Sequence, residues 1–436
     1  MQTTLPESLR STSVGREADA ILRACVHCGF CNATCPTYLL IGDELDGPRG
    51  RIYLIKRMLE GHAVSAHTLT HLDRCLTCRN CETTCPSGVR YGALLDIGRE
   101  QAEQRIGRPW LQRARRWLIR QILPYPQRFT PLLRVGQFFR PLLPRALKRK
   151  VPPRQYATTT SSPLPLGDDC MDAGGRATQG AVAEGQGEGR VHAHTRKMLV
   201  LEGCAQPALA PNINAAAARV LNRLGIALFP AANAGCCGAA CHHTSGVEEG
   251  LAQARRNIDA WWPYIEAGAE AIVMTASGCG VHIKDYGHLL RDDPVYTDRA
   301  GRVSVLTKDI SEILVNENLS ALRLKAPSAA VIAFQSPCTL QHGQKLNGVV
   351  EKILQDLGFA LSPVSEAHLC CGSAGTYSLL QGALSQRLLA RKLDALCSGK
   401  PQLIVTANIG CLAHLQTRAD IPVRHWIELL AESGAG

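Results

Sequence analysis

The 436-residue chain has no run of about 18 uncharged apolar residues, which argues against a membrane-spanning helix. Its first twenty residues, MQTTLPESLRSTSVGREADA, hold no apolar core segment, so no secretory signal is read there and a cytoplasmic protein is expected. No dinucleotide-binding glycine fingerprint follows a strand-like segment; the glycines of AVAEGQGEGR lie in a Thr/Ser/Pro- and Gly-rich stretch. No recognisable nucleic-acid-binding module is present either, so nucleic acid is not expected as a partner. Disorder is excluded by a hydrophobic fraction of 45% and a mean hydropathy of -0.04.

Acidic residues are also missing locally. None occurs between Glu103 and Asp168, while Arg105 to Arg154 carries 14 basic residues, more than the whole net charge of +11. Trp110, Trp117, Tyr125, Phe129, Phe138 and Phe139 are interleaved with them, and prolines break the segment into short helices. Such a segment suits an anionic membrane surface; the plainer alternative is a connector that packs on the protein.

Cysteine, by contrast, is abundant. Nineteen cysteines in a reducing compartment point to metal or redox chemistry rather than disulfides. Cys25-x-x-Cys28-x-x-Cys31-x-x-x-Cys35-Pro36 is repeated as Cys75-x-x-Cys78-x-x-Cys81-x-x-x-Cys85-Pro86. Three cysteines at three-residue steps can wrap three corners of a cubane, and the fourth, set before proline, reaches the other cluster. The expected ligands are therefore Cys25, Cys28, Cys31 and Cys85 for one 4Fe-4S cluster, and Cys75, Cys78, Cys81 and Cys35 for the second. Structural zinc needs four ligands, not eight in this order. The intervening DELDGPRGRIYLIKRMLEG reads as helical, so residues 1–104 are expected to be an α-helical ferredoxin domain. Full thiolate ligation leaves no open iron position, which suits single-electron carriage and not substrate chemistry.

From about Lys197 the chain duplicates itself. Cys204, Cys236 and Cys237 recur 134 residues later as Cys338, Cys370 and Cys371, and Cys279 recurs 132 later as Cys411. Both vicinal pairs precede a glycine, and both halves end in Cys-x-x-His, with His282 and His414. Lys197–Leu201, Ala271–Thr275, Ala329–Phe334 and Leu403–Thr406 read as buried strands; Asn212–Leu224, Val247–Ala267, Gln344–Leu357 and Tyr377–Leu396 read as helices. Alternation implies parallel sheets, whose carboxyl-end loops would gather each half's cysteines. The expected organisation is thus a ferredoxin domain (1–104), a basic amphipathic connector (105–155), a linker (156–196) and two tandem α/β Cys-Cys-Gly domains (197–325 and 326–436). What the C-terminal cysteines hold stays open among a further iron–sulfur centre, zinc, a redox disulfide, a quinone wall and plain burial. The paired histidines are candidate ligands or proton donors. Cys170, Cys241 and Cys397 read as free thiols, and no spacing argument singles out His242, His243 or His342.

ILRACVHCGFCNATCPTYLLIGDELDGPRGRIYLIK, HLDRCLTCRNCETTCPSGVRY, LEGCAQP, AGCCGA, NIDAWWPYIEAGAEAI, CCGSAGTY and TANIGC together resemble the glycolate oxidase iron–sulfur subunit family of bacteria. The resemblance covers nearly the whole chain outside about 156–195. It implies a complex in which two flavoprotein-type partner subunits, carrying FAD, oxidise glycolate and D-lactate. This chain, without flavin or glycolate of its own, would pass the electrons to an acceptor such as membrane quinone. It also implies a peripheral place on the cytoplasmic face of the inner membrane. The twin Cys-Cys-Gly domains are shared with anaerobic glycerol-3-phosphate dehydrogenase, lactate-utilisation and heterodisulfide reductase proteins, which define the alternative complexes. The last element of heterodisulfide reductase is usually Cys-x-x-Cys, and here it is Cys-x-x-His.

Overall fold

The computed structural model describes residues 1–144, 151–155, 196–322 and 330–432. The linker at 156–195, with its Cys170, therefore lies outside the described residues. The N-terminal region is helical throughout. Helix Ser13–Ala24 starts where Thr12 Oγ1 accepts from the Gly15 amide at 2.9 Å, and it buries Ala18, Ile21 and Leu22. Helices Pro48–Leu59 and Tyr91–Ile106 pack on each other, and Ile52, Ile55, Leu59, Leu94 and Leu95 join that core. The segment read as one helix before Leu59 is a 3₁₀ turn, Glu44–Asp46, then Pro48–Leu59, with Pro48 opening the helix where no backbone donor is needed.

The connector forms helices Trp110–Ile122 and Pro126–Phe138. Several of its arginines, buried Arg108 among them, pair with the rest of the chain. Arg116 is buried against Asp73 at 3.0 Å, Arg120 pairs with Glu249 at 3.0 Å, and Arg115 donates to the Leu379 carbonyl. Trp110, Leu111, Trp117, Leu118, Phe138 and Leu142 remain exposed, with Phe138 at 78% and Leu142 at 82%. Among the described residues of this segment, the solvent face thus carries a broad apolar share.

Two parallel sheets follow. The first has the order β2-β1-β3-β4, from β1 (Arg196–Val200), β2 (Ile226–Pro230), β3 (Ile272–Met274) and β4 (Thr307–Asp309). The second has the order β5-β6-β7, from β5 (Ile332–Gln335), β6 (Leu403–Thr406) and β7 (Val423–His425). An isolated parallel bridge between Ile332 and Leu361 stands where β2 lies in the first sheet, so the two topologies match. One core cluster contains both sheets, from Val200 and Val273 to Ala333, Val405 and Trp426. Polar contacts lace the carboxyl edges: Ser277 N donates to Ala407 O at 3.2 Å, and His425 Nε2 lies 2.9 Å from Thr275 O. The helix expected at Tyr377–Leu396 is broken at Gln381 into Tyr377–Leu380 and Gly382–Cys397. The one expected at Gln344–Leu357 begins only at Val349, after Gly348.

Candidate functional site

Both Cys-x-x-Cys-x-x-Cys loops use one backbone path. His27 and Thr77 are left-handed at φ 60° and 54°, and Gly29 and Arg79 repeat this at 89° and 59°. These turns curl each loop around a small cavity before short helices, Phe30–Ala33 and Asn80–Thr83, carry Cys31 and Cys81. Cys35 then precedes helix Pro36–Ile41, whose first residue is the proline.

Cys25, Cys28, Cys31 and Cys85 line the first cavity, with Phe30, Ile52 and Val89. Cys35, Cys75 and Cys78 line the second, with Leu76 and Arg51. Cys81 and Tyr91 form a wall common to both. In the first, burial and then Cys25 push the Cys31 thiol up to about 11, and burial raises Cys25. In the second, burial holds Cys78 and Cys81 well above the usual thiol range. Sulfurs gathered in this way do not ionise by themselves and need a cation to become thiolates. Donors also point at sulfur: Thr77 N lies 3.4 Å and Tyr91 Oη 3.6 Å from Cys75 Sγ. Arg51 is fully buried beside this set and donates to His71 O at 2.8 Å and Thr37 Oγ1 at 3.1 Å. Eight thiols in two sets with apolar walls fit two cubane clusters.

In the first α/β half, Cys204, Cys236 and Cys237 from two loops converge with Cys279 from the first turn of helix Ser277–Lys284. Hydrogen bonds from Cys204 and Cys237 lower the pKa of Cys236, whereas sharing Cys236 raises its two neighbours. In the second half, Cys338 Sγ lies 3.8 Å from Cys370 Sγ, and Cys371 Sγ lies 3.2 Å from Cys411 Sγ. The glycine after each vicinal pair is required twice over. Gly238 and Gly372 have φ of 97° and 85°, and an added Cβ would come within 2.6 Å of Gly250 O and Ser385 O respectively.

The histidines of the two Cys-x-x-His elements do not join these sets. His414 Nε2 meets Ser385 Oγ at 3.1 Å, and burial lowers its pKa to about 4. His282 packs tilted against His242 and edge-on against His243 and Tyr286 instead. The sequence reading also missed Lys392, which is buried beside Cys371, Cys370 and Cys411 and donates to Ala367 O at 2.9 Å. The residue 134 positions earlier is Ile258; in the first half the nearby cation is Arg256, which acts on Cys236. Cys241 is buried and accepts from Gln253 Nε2 at 3.4 Å, while Cys397 is exposed.

Several contacts join the helical region to the α/β halves, these among them. Asn80 Nδ2 donates to His368 O at 3.2 Å, Thr83 Oγ1 meets His342 Nδ1 at 3.0 Å, and Arg79 pairs with Asp285. In the second half, Leu76 and Cys78 share a buried cluster with Cys338, Cys370, Tyr377 and Leu388.

Family models match the same regions: a 4Fe-4S dicluster domain over residues 21–89, and a cysteine-rich domain over 198–284 and again over 332–416. The glycolate oxidase iron–sulfur subunit of Escherichia coli (strain K12) is 53% identical over 99% of both chains. The chain belongs to the glycolate oxidase iron–sulfur subunit family. A Bacillus subtilis (strain 168) protein named "Probable glycolate oxidase iron-sulfur subunit" is 29% identical over 90% of this chain and 88% of its own. Lactate utilization protein A of Geobacillus thermodenitrificans (strain NG80-2) is 28% identical over 50% of this chain and 92% of its own. A crystal structure of a hypothetical protein from Helicobacter pylori shares the fold, with a TM-score of 0.55, 10% identity, and coverage of 98% of this chain and 73% of that one. Membership of the family makes the chain an iron–sulfur subunit of an oxidoreductase, with a ferredoxin-like region ahead of two cysteine-rich domains.

Proposed function

We propose that this chain is the electron-transfer subunit of a complex whose flavoprotein-type partners, carrying FAD, oxidise glycolate and D-lactate, and that a membrane quinone is the acceptor. The observation that supports this reading is the serial contact of the cysteine sets. The first two share Cys81 and Tyr91, and the second meets the C-terminal set where Cys78 faces Cys338 and Cys370. Cys25, Cys28, Cys31 and Cys85 would hold one 4Fe-4S cluster, and Cys75, Cys78, Cys81 and Cys35 the other. Such clusters, when bound, supply one-electron carriage without an open iron position.

The protein's own groups set the conditions. Tyr91 and the Thr77 amide donate to Cys75 Sγ, and buried Arg51 adds positive charge; both favour the more negative, reduced state of the second set. Leu76, Tyr377 and Leu388 exclude water between that set and Cys338. The eight cysteines of the α/β halves form two further candidate metal or redox sites, and Lys392 makes anionic sulfur less costly in the second.

Attachment to the membrane is peripheral in this reading. Among the described residues no helix is long and apolar enough to cross a bilayer. Trp110, Leu111, Trp117, Leu118, Phe138 and Leu142 offer an exposed apolar face with Arg113 beside it, suited to the interfacial zone of an anionic leaflet.

The test is glycolate-dependent reduction of a dye and of a quinone by the purified complex, with and without this chain. Loss of quinone reduction alone supports the reading; loss of neither contradicts it.

A further inference from the structure

Helix Tyr91–Ile106 leaves the second cysteine set and runs on to the first α/β half, where Asp96 meets two histidines that follow the first Cys-Cys-Gly element. Asp96 Oδ2 lies 3.8 Å from His242 Nε2, and Oδ1 lies 3.7 Å from His243 Nδ1. Charge-assisted hydrogen bonds are much shorter, about 2.7–2.9 Å. One donor atom from each of the three residues lies within 4.8 Å of the other two. A tetrahedral zinc ion with bonds of about 2.0–2.1 Å separates its ligand atoms by roughly 3.4 Å, so the two carboxylate–imidazole distances need close by only a few tenths of an ångström, and the two imidazole nitrogens, within 4.8 Å of each other, by no more than about 1.4 Å.

Independent observations point the same way. The side chain of His242 is only 9% exposed, and the Nδ1 atoms of His242 and His243 are buried with no hydrogen-bond partner among the described residues. Buried imidazole nitrogens are costly to leave unpaired. The rings of His242, His243 and His282 stand 5.4, 5.5 and 5.8 Å apart, tilted or edge-on, so three imidazoles gather around a single carboxylate. A cation held by one nitrogen each of His242 and His243 and by one carboxylate oxygen would partner the facing atoms of the three side chains together.

We propose that Asp96, His242 and His243 bind a divalent ion of the zinc class, with His282 as the adjoining imidazole, and that this ion clamps the ferredoxin-like region to the first α/β half. The donor set is nitrogen and oxygen without thiolate, which separates it chemically from every cysteine set in the chain. It also accounts for the placement of His282 away from Cys279's partners.

The test uses the full chain with its clusters reconstituted anaerobically, exposed to Zn2+ and then dialysed against metal-free buffer. Zinc and iron per chain are measured by mass spectrometry, and the zinc environment by X-ray absorption. The expected result is about one zinc per chain with a nitrogen/oxygen shell near 2.0–2.1 Å and no sulfur shell near 2.3 Å. In Asp96→Asn and in His243→Gln, zinc affinity should fall by at least tenfold with iron content unchanged. His243 is about one-third exposed, so its variant should fold. Zinc should also raise the melting temperature of the wild type and leave that of His243→Gln unmoved. No retained zinc, a sulfur shell, or equal zinc retention in both variants would overturn the proposal.

Discussion

Cys78 and Cys338, on separate domains, share one buried apolar cluster, and burial followed by the facing Cys338 keeps the Cys78 thiol well above its usual range. Two thiolates cannot coexist in such a pocket without a cation. The contact therefore sets a cysteine of the ferredoxin-like region against the cysteine set of the second α/β half.

Cys35 lines the cavity of Cys75 and Cys78, whereas Cys85 lines that of Cys25, Cys28 and Cys31. Cys35→Ala should accordingly lower iron from about eight to about four per N-terminal region by damaging the second set. Electron paramagnetic resonance should show the second set's signal altered and the first set's intact. The reverse pattern would show that the fourth cysteines do not cross over.

Removing the donor to Cys75 in Tyr91→Phe should make the potential of the second set more negative, because a hydrogen bond to sulfur stabilises the reduced state. A redox titration monitored by the same resonance reads this directly. An unchanged potential would mean that the 3.6 Å contact carries no weight.

Much of this arrangement was legible in the chain. Metal-ligand spacing is local, so the two triplet-plus-one arrays could be read from order alone, and a duplication at offsets of 134 and 132 residues stands out in one sequence. Strands β1, β3, β5 and β6 were visible as apolar runs. Strands β2, β4 and β7 were not among those read: β4 and β7 span three residues each, and Thr307–Asp309 is polar. The direction of a side chain was not legible. Cys-x-x-His suggested a shared helix face, yet His414 turns to Ser385 and His282 to His242 and His243. Nor can composition tell an arginine in solvent from Arg116, which is buried because Asp73 lies across a domain contact.

That contact has its own consequence. Asp73 holds Arg108 at 2.6 Å and Arg116 at 3.0 Å, and although burial opposes ionisation, both arginines keep its carboxyl below the usual range. Asp73→Asn should cost about 3 kcal/mol in urea unfolding, as expected when one partner of a buried ion pair is removed. Arg113→Gln, at an exposed position, should stay within about 0.5 kcal/mol.

Membrane attachment should follow the apolar face rather than the inward arginines. Trp110→Ser with Phe138→Ser should reduce co-sedimentation with anionic vesicles severalfold and leave the urea midpoint unchanged, since both side chains are exposed. Equal pelleting would assign this face to a partner subunit.

His425 joins the two halves as a neutral imidazole: Nδ1 accepts from Ile427 N at 3.3 Å, so Nε2–H donates to Thr275 O at 2.9 Å. Burial lowers its pKa to about 4. A folded-state value below the unfolded one, about 6.5, means that stability is fully present above pH 6.5 and is lost as pH falls towards 4. The loss attributable to this group is about 3 kcal/mol. His425→Gln should flatten that part of the profile, as read by urea midpoints across the window. Parallel profiles for both proteins would remove His425 as the cause.

The central claim is that reducing equivalents from the substrate pass into this chain. The most direct test is rapid-freeze electron paramagnetic resonance of the anaerobic, assembled complex after addition of glycolate. The account predicts that signals of two reduced clusters appear within a turnover, and that changing Cys78 to Ala abolishes the second signal and quinone reduction together. Clusters that stay oxidised while flavin is reduced and quinone turns over at the full rate would contradict it.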